Sequence, residues 1–178
     1  FRRSKLGALD RAPETLNFLS PLGFRFILSR SPEINYFVQS VTLPDMQLDV
    51  ASIPTPFNRI TLPGDKVTYG ELQISFKVDE NLVNFMHIYN WIADLAKQKN
   101  YDGYKALASG TAGSTTGIFS DATLVIMTSG FNPNKQVVFR NIYPNNLTSL
   151  TFDSTLSDVN YLQATASFNI QNYEIISA

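Results

Sequence analysis

His87 is the one histidine in the chain, and a side chain that titrates near neutral pH is the first to test for acid–base work. On a helical wheel it shares a polar arc with Asn90 and Asp94, but nucleophilic catalysis needs a hydroxyl or thiol held against the ring, and nothing in the spacing supplies one. A solvated surface histidine is the expected reading, with an interface hydrogen bond as its alternative. The acids Asp45, Asp49, Asp65, Asp79, Glu80 and Asp102 are scattered, without the alternate-residue spacing of a calcium loop. Gly110, Gly113 and Gly117 suggest a phosphate cradle, yet no Gly-Lys-Ser/Thr follows and the stretch leads into a strand pattern. Asn146-Leu147-Thr148 matches a glycosylation sequon, which has meaning only on a secretory route. The Phe and Tyr residues could stack nucleobases, but no basic groove accompanies them in sequence. Cysteine is absent, which removes disulfides, thiolate nucleophiles and zinc–thiolate sites together. The expectation is a protein without catalytic residues, cofactor or metal.

Chemistry of this kind would have to be positioned by a single core, because 178 residues suit one domain, taken as 1–178 with an N-terminal arm (1–21) and a flexible loop (109–117). Apolar residues make up 44% and charged residues 16%, a low charge content that points to surface covered by something other than water. The 13 Phe and 8 Tyr favour strands. A net charge of −1 gives no general attraction to nucleic acid. Basic residues do gather at the start, where Arg2, Arg3, Lys5 and Arg11 face Asp10 alone. They form either a solvated arm or one that grips a neighbouring subunit. No apolar run long enough for a membrane helix and no secretory h-region is present, so neither a span nor a leader is expected.

The elements follow from periodicity. Leu22–Leu28 and Ile34–Leu43 are predicted as a strand pair around the Arg30-Ser31-Pro32 turn. Pro44, Pro54, Pro56 and Pro63 then punctuate a stretch that belongs at an edge or in a protruding arm, since proline donates no ladder hydrogen bond. Leu72, Ile74, Phe76 and Val78 alternate with polar residues as one half-buried strand. Asp79 and Glu80 suit the first turn of a helix over about 81–97. Its Leu82, Phe85, Met86, Tyr89, Ala93 and Ala96 form a stripe predicted to be buried. A second apolar stripe, Ile88, Trp91, Ile92 and Leu95, is assigned to a subunit interface or a large core, with Trp91 and Tyr89 as residue types favoured in such contacts. Ala122–Thr128 reads as a buried strand, followed by a meander through Gln136–Tyr143 and Leu150–Phe152. The last strand, Gln163–Gln171, carries an uncharged polar face that suits either an ordinary sheet surface or a wet wall with no hold on a passing polyanion.

The order of strand pair, proline-rich arm, alternating strand, one amphipathic helix, flexible loop and terminal meander resembles the tail tube proteins of contractile-tailed bacteriophages. Three stretches carry the resemblance. They are Val41-Thr42-Leu43-Pro44 with Ile53-Pro54 and Phe57-Asn58-Arg59, then Leu62–Tyr69 running into the alternating strand and the Trp91 helix. The third is Ile142–Leu147 with Leu150–Asp153 and the strand ending at Tyr173-Glu174. The resemblance implies a mainly β fold with one amphipathic helix. It implies a hexameric ring whose protomers share a continuous inner β-barrel, and rings stacked inside a sheath as the conduit for DNA ejection from a virion assembled in the host cytoplasm. Partners would be copies of the chain, sheath and baseplate proteins, and DNA passing without specific binding. Ile53, Pro54, Phe57 and Arg59 would make stacking contacts, with Arg2, Arg3 and Trp91 as further subunit contacts. Tube initiators, tail terminators and the inner-tube protein of type VI secretion share this fold and stand as alternatives. The arm and the Ser/Gly/Thr loop depart from shorter members of the family.

Overall fold

The structure, a computed structural model, describes residues 17–96, 101–110, 117–155 and 161–177. It is mainly β, with strands β1 (Phe24–Leu28), β2 (Val38–Thr42), β3 (Met46–Pro54), β4 (Arg59–Tyr69), β5 (Leu72–Lys77), β6 (Ser120–Met127), β7 (Pro133–Leu147), β8 (Gln163–Asn169) and β9 (Asn172–Ser177). Two α-helices, α1 (Val83–Leu95) and α2 (Tyr101–Ala108), lie between β5 and β6, and a 3-10 helix spans Ile34–Tyr36.

β5 forms where the alternation demands it. Leu72, Ile74 and Phe76 are fully buried, while Gln73 and Lys77 are exposed and Ser75 is half-buried. The strands join in the order β1-β6-β7-β8-β5-β2, all antiparallel, with β9 also on β7. β7 serves two sets of neighbours: 133–142 pairs with β6, 135–140 with β9 and 143–147 with β8. A bulge between Pro144 and Asn146 bends it at the change of partner. Side chains from both ends of the sheet converge on one core that includes Phe26, Leu28, Ile74, Phe76, Phe139 and Phe168.

The expected pairing of the first two strands is corrected. β1 pairs with β6 and β2 with β5, because the chain after Ser31 closes into the 3-10 helix, whose Ile34 is fully buried and carries the chain across the core. Asn35 Oδ1 accepts the Leu28 backbone N–H at 2.8 Å, which ends β1.

The single expected helix is corrected to two among the described residues, and the stripe of α1 expected to be buried is buried only at Ala93 and partly at Phe85, while the second stripe meets the core, the large-core alternative. Ile88 and Trp91 are buried, with Ile92 and Leu95 packed against the core, whereas Val83, Met86 and Tyr89 are exposed. Asp79 and Glu80 give α1 no side-chain cap. Leu82 precedes the helix at φ 58°, and the buried Asn84 joins it to β5, donating from Nδ2 to Lys77 O at 2.8 Å and accepting from Asp79 N–H at 3.2 Å. α2 packs close to α1 at Gly103, where a Cβ would stand 2.4 Å from Asp94 Oδ1. Residues 149–153, expected in part as a strand, form no ladder. Residues 111–116 of the expected 109–117 loop and 1–16 of the arm lie outside the described residues.

Candidate functional site

The most exposed element of the protomer is the β3–β4 hairpin. It pairs only with itself, from Met46 opposite Tyr69 to Pro54 opposite Arg59. No residue in it is buried. Its base is held by Tyr69, whose ring lies 5.3 Å from that of Tyr173, and a two-stranded hairpin with little else packed on it is marginal in water. Its tip is a compact turn in which Thr55 N–H donates to Asn58 O at 3.0 Å and Arg59 N–H to Asn58 Oδ1 at 2.8 Å. Midway, the ladder shifts between Leu48 and Val50, and Gly64 approaches Asp49 so closely that a Cβ would lie 2.6 Å from the Asp49 carbonyl oxygen. Only glycine fits that approach.

The structure distributes the sequence-predicted contacts around this hairpin. Ile53 is half-exposed and sits opposite Ile60, on the face that also carries Leu62. Pro54 and Arg59 form a pair on the other face. Phe57, at the tip, is 99% exposed. Arg2 and Arg3 lie outside the described residues. Trp91 is corrected as a direct contact: it is 1% exposed and sealed in its own protomer. Its Nε1–H donates to Ile118 O at 3.3 Å, its ring lies 6.2 Å from Phe168, and the Arg30 guanidinium stacks 4.6 Å from its centroid. Burial pushes the Arg30 pKa down, and Asp94 opposes that shift. Arg30 also donates to Gly117 O at 2.6 Å, so this cluster locks α1 to the approach of β6.

Two further surfaces are left uncovered, of which the sequence reading named only Tyr89 as a contact residue type. On α1, Val83, Met86 and Tyr89 form an exposed apolar stripe. Among the described residues β9 pairs on one side only, and its consecutive Ile175 and Ile176, which point to opposite faces, are 58% and 44% exposed. An edge strand with open backbone groups and apolar residues on both faces is a template for pairing with another chain. Alternation could have exposed the β9 signal, but the adjacent isoleucines break the pattern.

His87 pairs with Glu33, Nε2 to Oε2 at 3.1 Å, and both side chains are about half exposed. The pair ties α1 to the loop before the 3-10 helix; such exposed pairs contribute about 0–1 kcal/mol. Among the described residues no three His, Cys, Asp or Glu side chains gather as metal ligands, and no helix is long and apolar enough to cross a membrane. A cavity of about 570 Å³ is an open apolar groove between Phe37, Val78, Leu82, Phe152 and Tyr161, with Lys77, Asp79 and Glu80 beside it.

No protein-family model matches the chain, and no curated protein matches it in sequence. Solved structures do. A chain of the tube-terminating cap of the anti-feeding prophage (AFP) aligns at a TM-score of 0.66 and 16% identity, over 97% of this chain and all of that one. A chain of the sheath–tube complex of PVC, an extracellular contractile injection system in its extended state, aligns at 0.61 and 14% identity, over 92% and 94%. One from the PVC sheath/tube terminator aligns at 0.62 and 16%, over 91% and 99%. The tail-tube resemblance read from the sequence therefore holds at the level of fold: this chain has the fold found in the tube, cap and terminator assemblies of contractile injection systems.

Proposed function

We propose that the chain is a structural subunit of a contractile tail tube, forming rings that stack into a conduit. The observation that carries this reading is the β3–β4 hairpin, an eleven-residue strand and its partner held outside the core with no buried residue and a fully exposed phenylalanine at the tip. An exposed apolar surface of this kind marks an interaction site. In this reading the hairpin reaches the adjacent ring, with Ile53, Pro54, Phe57 and Arg59 in contact. The open edge of β9 serves lateral contacts, and Arg2 and Arg3 of the arm hold a neighbouring subunit. Rings of six, a shared inner β-barrel, a sheath outside and DNA passing through the lumen complete the proposal for a phage particle assembled in the host cytoplasm. No catalytic step belongs to it.

A second reading, a cap, terminator or initiator that ends or starts the tube, is favoured by the full-length alignment with the AFP cap chain. An inner-tube subunit of type VI secretion is the remaining alternative with the same fold. Negative-stain microscopy of the purified chain separates the readings. A main tube subunit forms tubes, a cap forms rings that do not propagate, and dispersed monomers at high concentration refute both. The hairpin is tested by deleting 46–69 and joining Asp45 to Gly70, which already meet through a Gly70 N–H to Asp45 O bond of 3.0 Å. The deleted protein is expected to fold and not to stack; tube growth by it refutes the assigned contact.

A further inference from the structure

We infer that the apolar groove between Phe37, Val78, Leu82, Phe152 and Tyr161 receives the hairpin tip of a second copy of this chain, with Phe57 in the groove and Arg59 against Asp79 and Glu80. The inference rests on the stacking role proposed above for the hairpin and names the surface that receives it.

The groove is built where three neighbouring strands end. Phe37 precedes β2, Val78 follows β5 and Leu162 precedes β8. The Lys77 N–H donates to Phe37 O at 3.0 Å and the Val78 N–H to Leu162 O at 2.9 Å, which holds the three ends side by side. Its volume of about 570 Å³ falls within the range of about 300–1,000 Å³ typical of clefts that enclose a ligand. Phe152 and Tyr161 on its walls are each 73% exposed, and exposed aromatic rings gathered around a concavity are the usual core of a contact between proteins.

Three observations select the hairpin tip as the occupant. The first is the anchor: Phe57 is 99% exposed on a turn closed by the Thr55 N–H to Asn58 O bond, so an aromatic ring is held out on a fixed support. The second is charge. Arg59 stands beside that ring and Asp79 and Glu80 stand beside the groove, and among the described residues none of the three forms an ion pair. Lys77, on the same rim, sits over the Tyr161 ring at 4.9 Å. The third is placement. The hairpin leaves the sheet through residues 43–45 and 70–71, at the opposite ends of β2 and β5 from the groove. The six residues of β5, about 20 Å of strand, separate the hairpin root from the groove. Each protomer therefore carries a tip at one end and a receptor at the other, and its own tip leaves its own groove empty. A contact between two different surfaces of identical chains repeats from copy to copy and gives the stack a direction.

The chain has no cysteine, so Pro56→Cys beside Phe57 and Asn81→Cys on the groove rim, both at exposed positions, place one thiol at each end without removing a proposed contact. The double variant is assembled, treated with a short bismaleimide and run on a denaturing gel. A ladder of dimers, trimers and higher multimers is expected, with each single variant remaining monomeric. Tubes of the double variant that yield no ladder overturn the assignment, and so do dimers from Pro56→Cys alone, which would place tip against tip. Charge reversal gives a second reading that decides the matter if the cysteine pair blocks assembly. Arg59→Glu is expected to raise the protein concentration at which tubes pellet about tenfold, and adding Glu80→Arg is expected to bring it back toward the starting value; no recovery removes the groove as the partner of Arg59. If the unsubstituted chain forms no tubes, the tube reading fails by itself. Cross-links between free copies of the double variant at high concentration would then still support the tip-to-groove contact, and their absence would remove it as well.

Discussion

Replacing Phe57 by alanine should separate folding from stacking more cleanly than any other single change. In the protomer the ring is 99% exposed and contributes nothing to the core, so the substitution is expected to leave protomer stability within about 0.5 kcal/mol of its starting value. In a stacked tube the same side chain would be buried against the next ring, where full burial of a phenylalanine contributes about 1.5–3 kcal/mol. A loss of about 2 kcal/mol weakens each contact about 30-fold. Ring stacking makes these losses together, so only two contacts broken at once amount to a factor of about 1,000. The assay is sedimentation of tubes across a protein concentration series, with urea unfolding of the protomer in parallel. The expected result is an unchanged urea midpoint and a steep rise in the concentration at which tubes pellet. Tubes that pellet at the original concentration would remove the hairpin tip from the stacking contact, and a fallen urea midpoint would show that the ring belongs to the fold.

Two buried positions should behave in the opposite way. Trp91→Ala removes a side chain that is 1% exposed and packed on Phe168. It is expected to destabilise the protomer by about 3–5 kcal/mol, measured by circular dichroism in urea; an unchanged midpoint with lost assembly would restore Trp91 to the interface. Asn84→Ala leaves the Lys77 carbonyl and the Asp79 amide without their side-chain partner and is expected to cost about 1–3 kcal/mol. Hydrogen exchange at the β5–α1 junction should rise with it, and unaltered exchange there would show that water replaces the amide without penalty.

The parts of this molecule that could be read from the sequence are those where one physical demand dominates. Leu72, Ile74 and Phe76 alternate because one side of β5 is core and the other is wet. The prolines between Pro44 and Pro63 mark a segment outside the main sheet, and β3–β4 is such a segment. What could not be read involved competing demands. α1 carries two apolar stripes, and periodicity cannot say which meets the core; the choice is made by distant residues, Phe168 stacking on Trp91 and the Ile118 carbonyl accepting from its indole. α2 was hidden because Gly103 reads as a loop residue, whereas it lies within the helix beside the Asp94 side chain. β1 and β2 read as a hairpin because the turn residues are right, yet Ile34 turns the chain into the core instead. Of the candidate contacts, the exposed hairpin was legible through its prolines, whereas β9 was not, since the adjacent Ile175 and Ile176 break the alternation and an open ladder leaves no mark in composition.

The seclusion of Trp91 has a practical side. It is the chain's one tryptophan, and it is enclosed by its own protomer with a guanidinium 4.6 Å from the ring centre. Its emission therefore responds when the protomer opens and, in the assembly proposed above, would stay silent when folded protomers join. Fluorescence and light scattering recorded on the same sample thus follow two distinct events, and any delay between them times how long a completed building block waits before it is used.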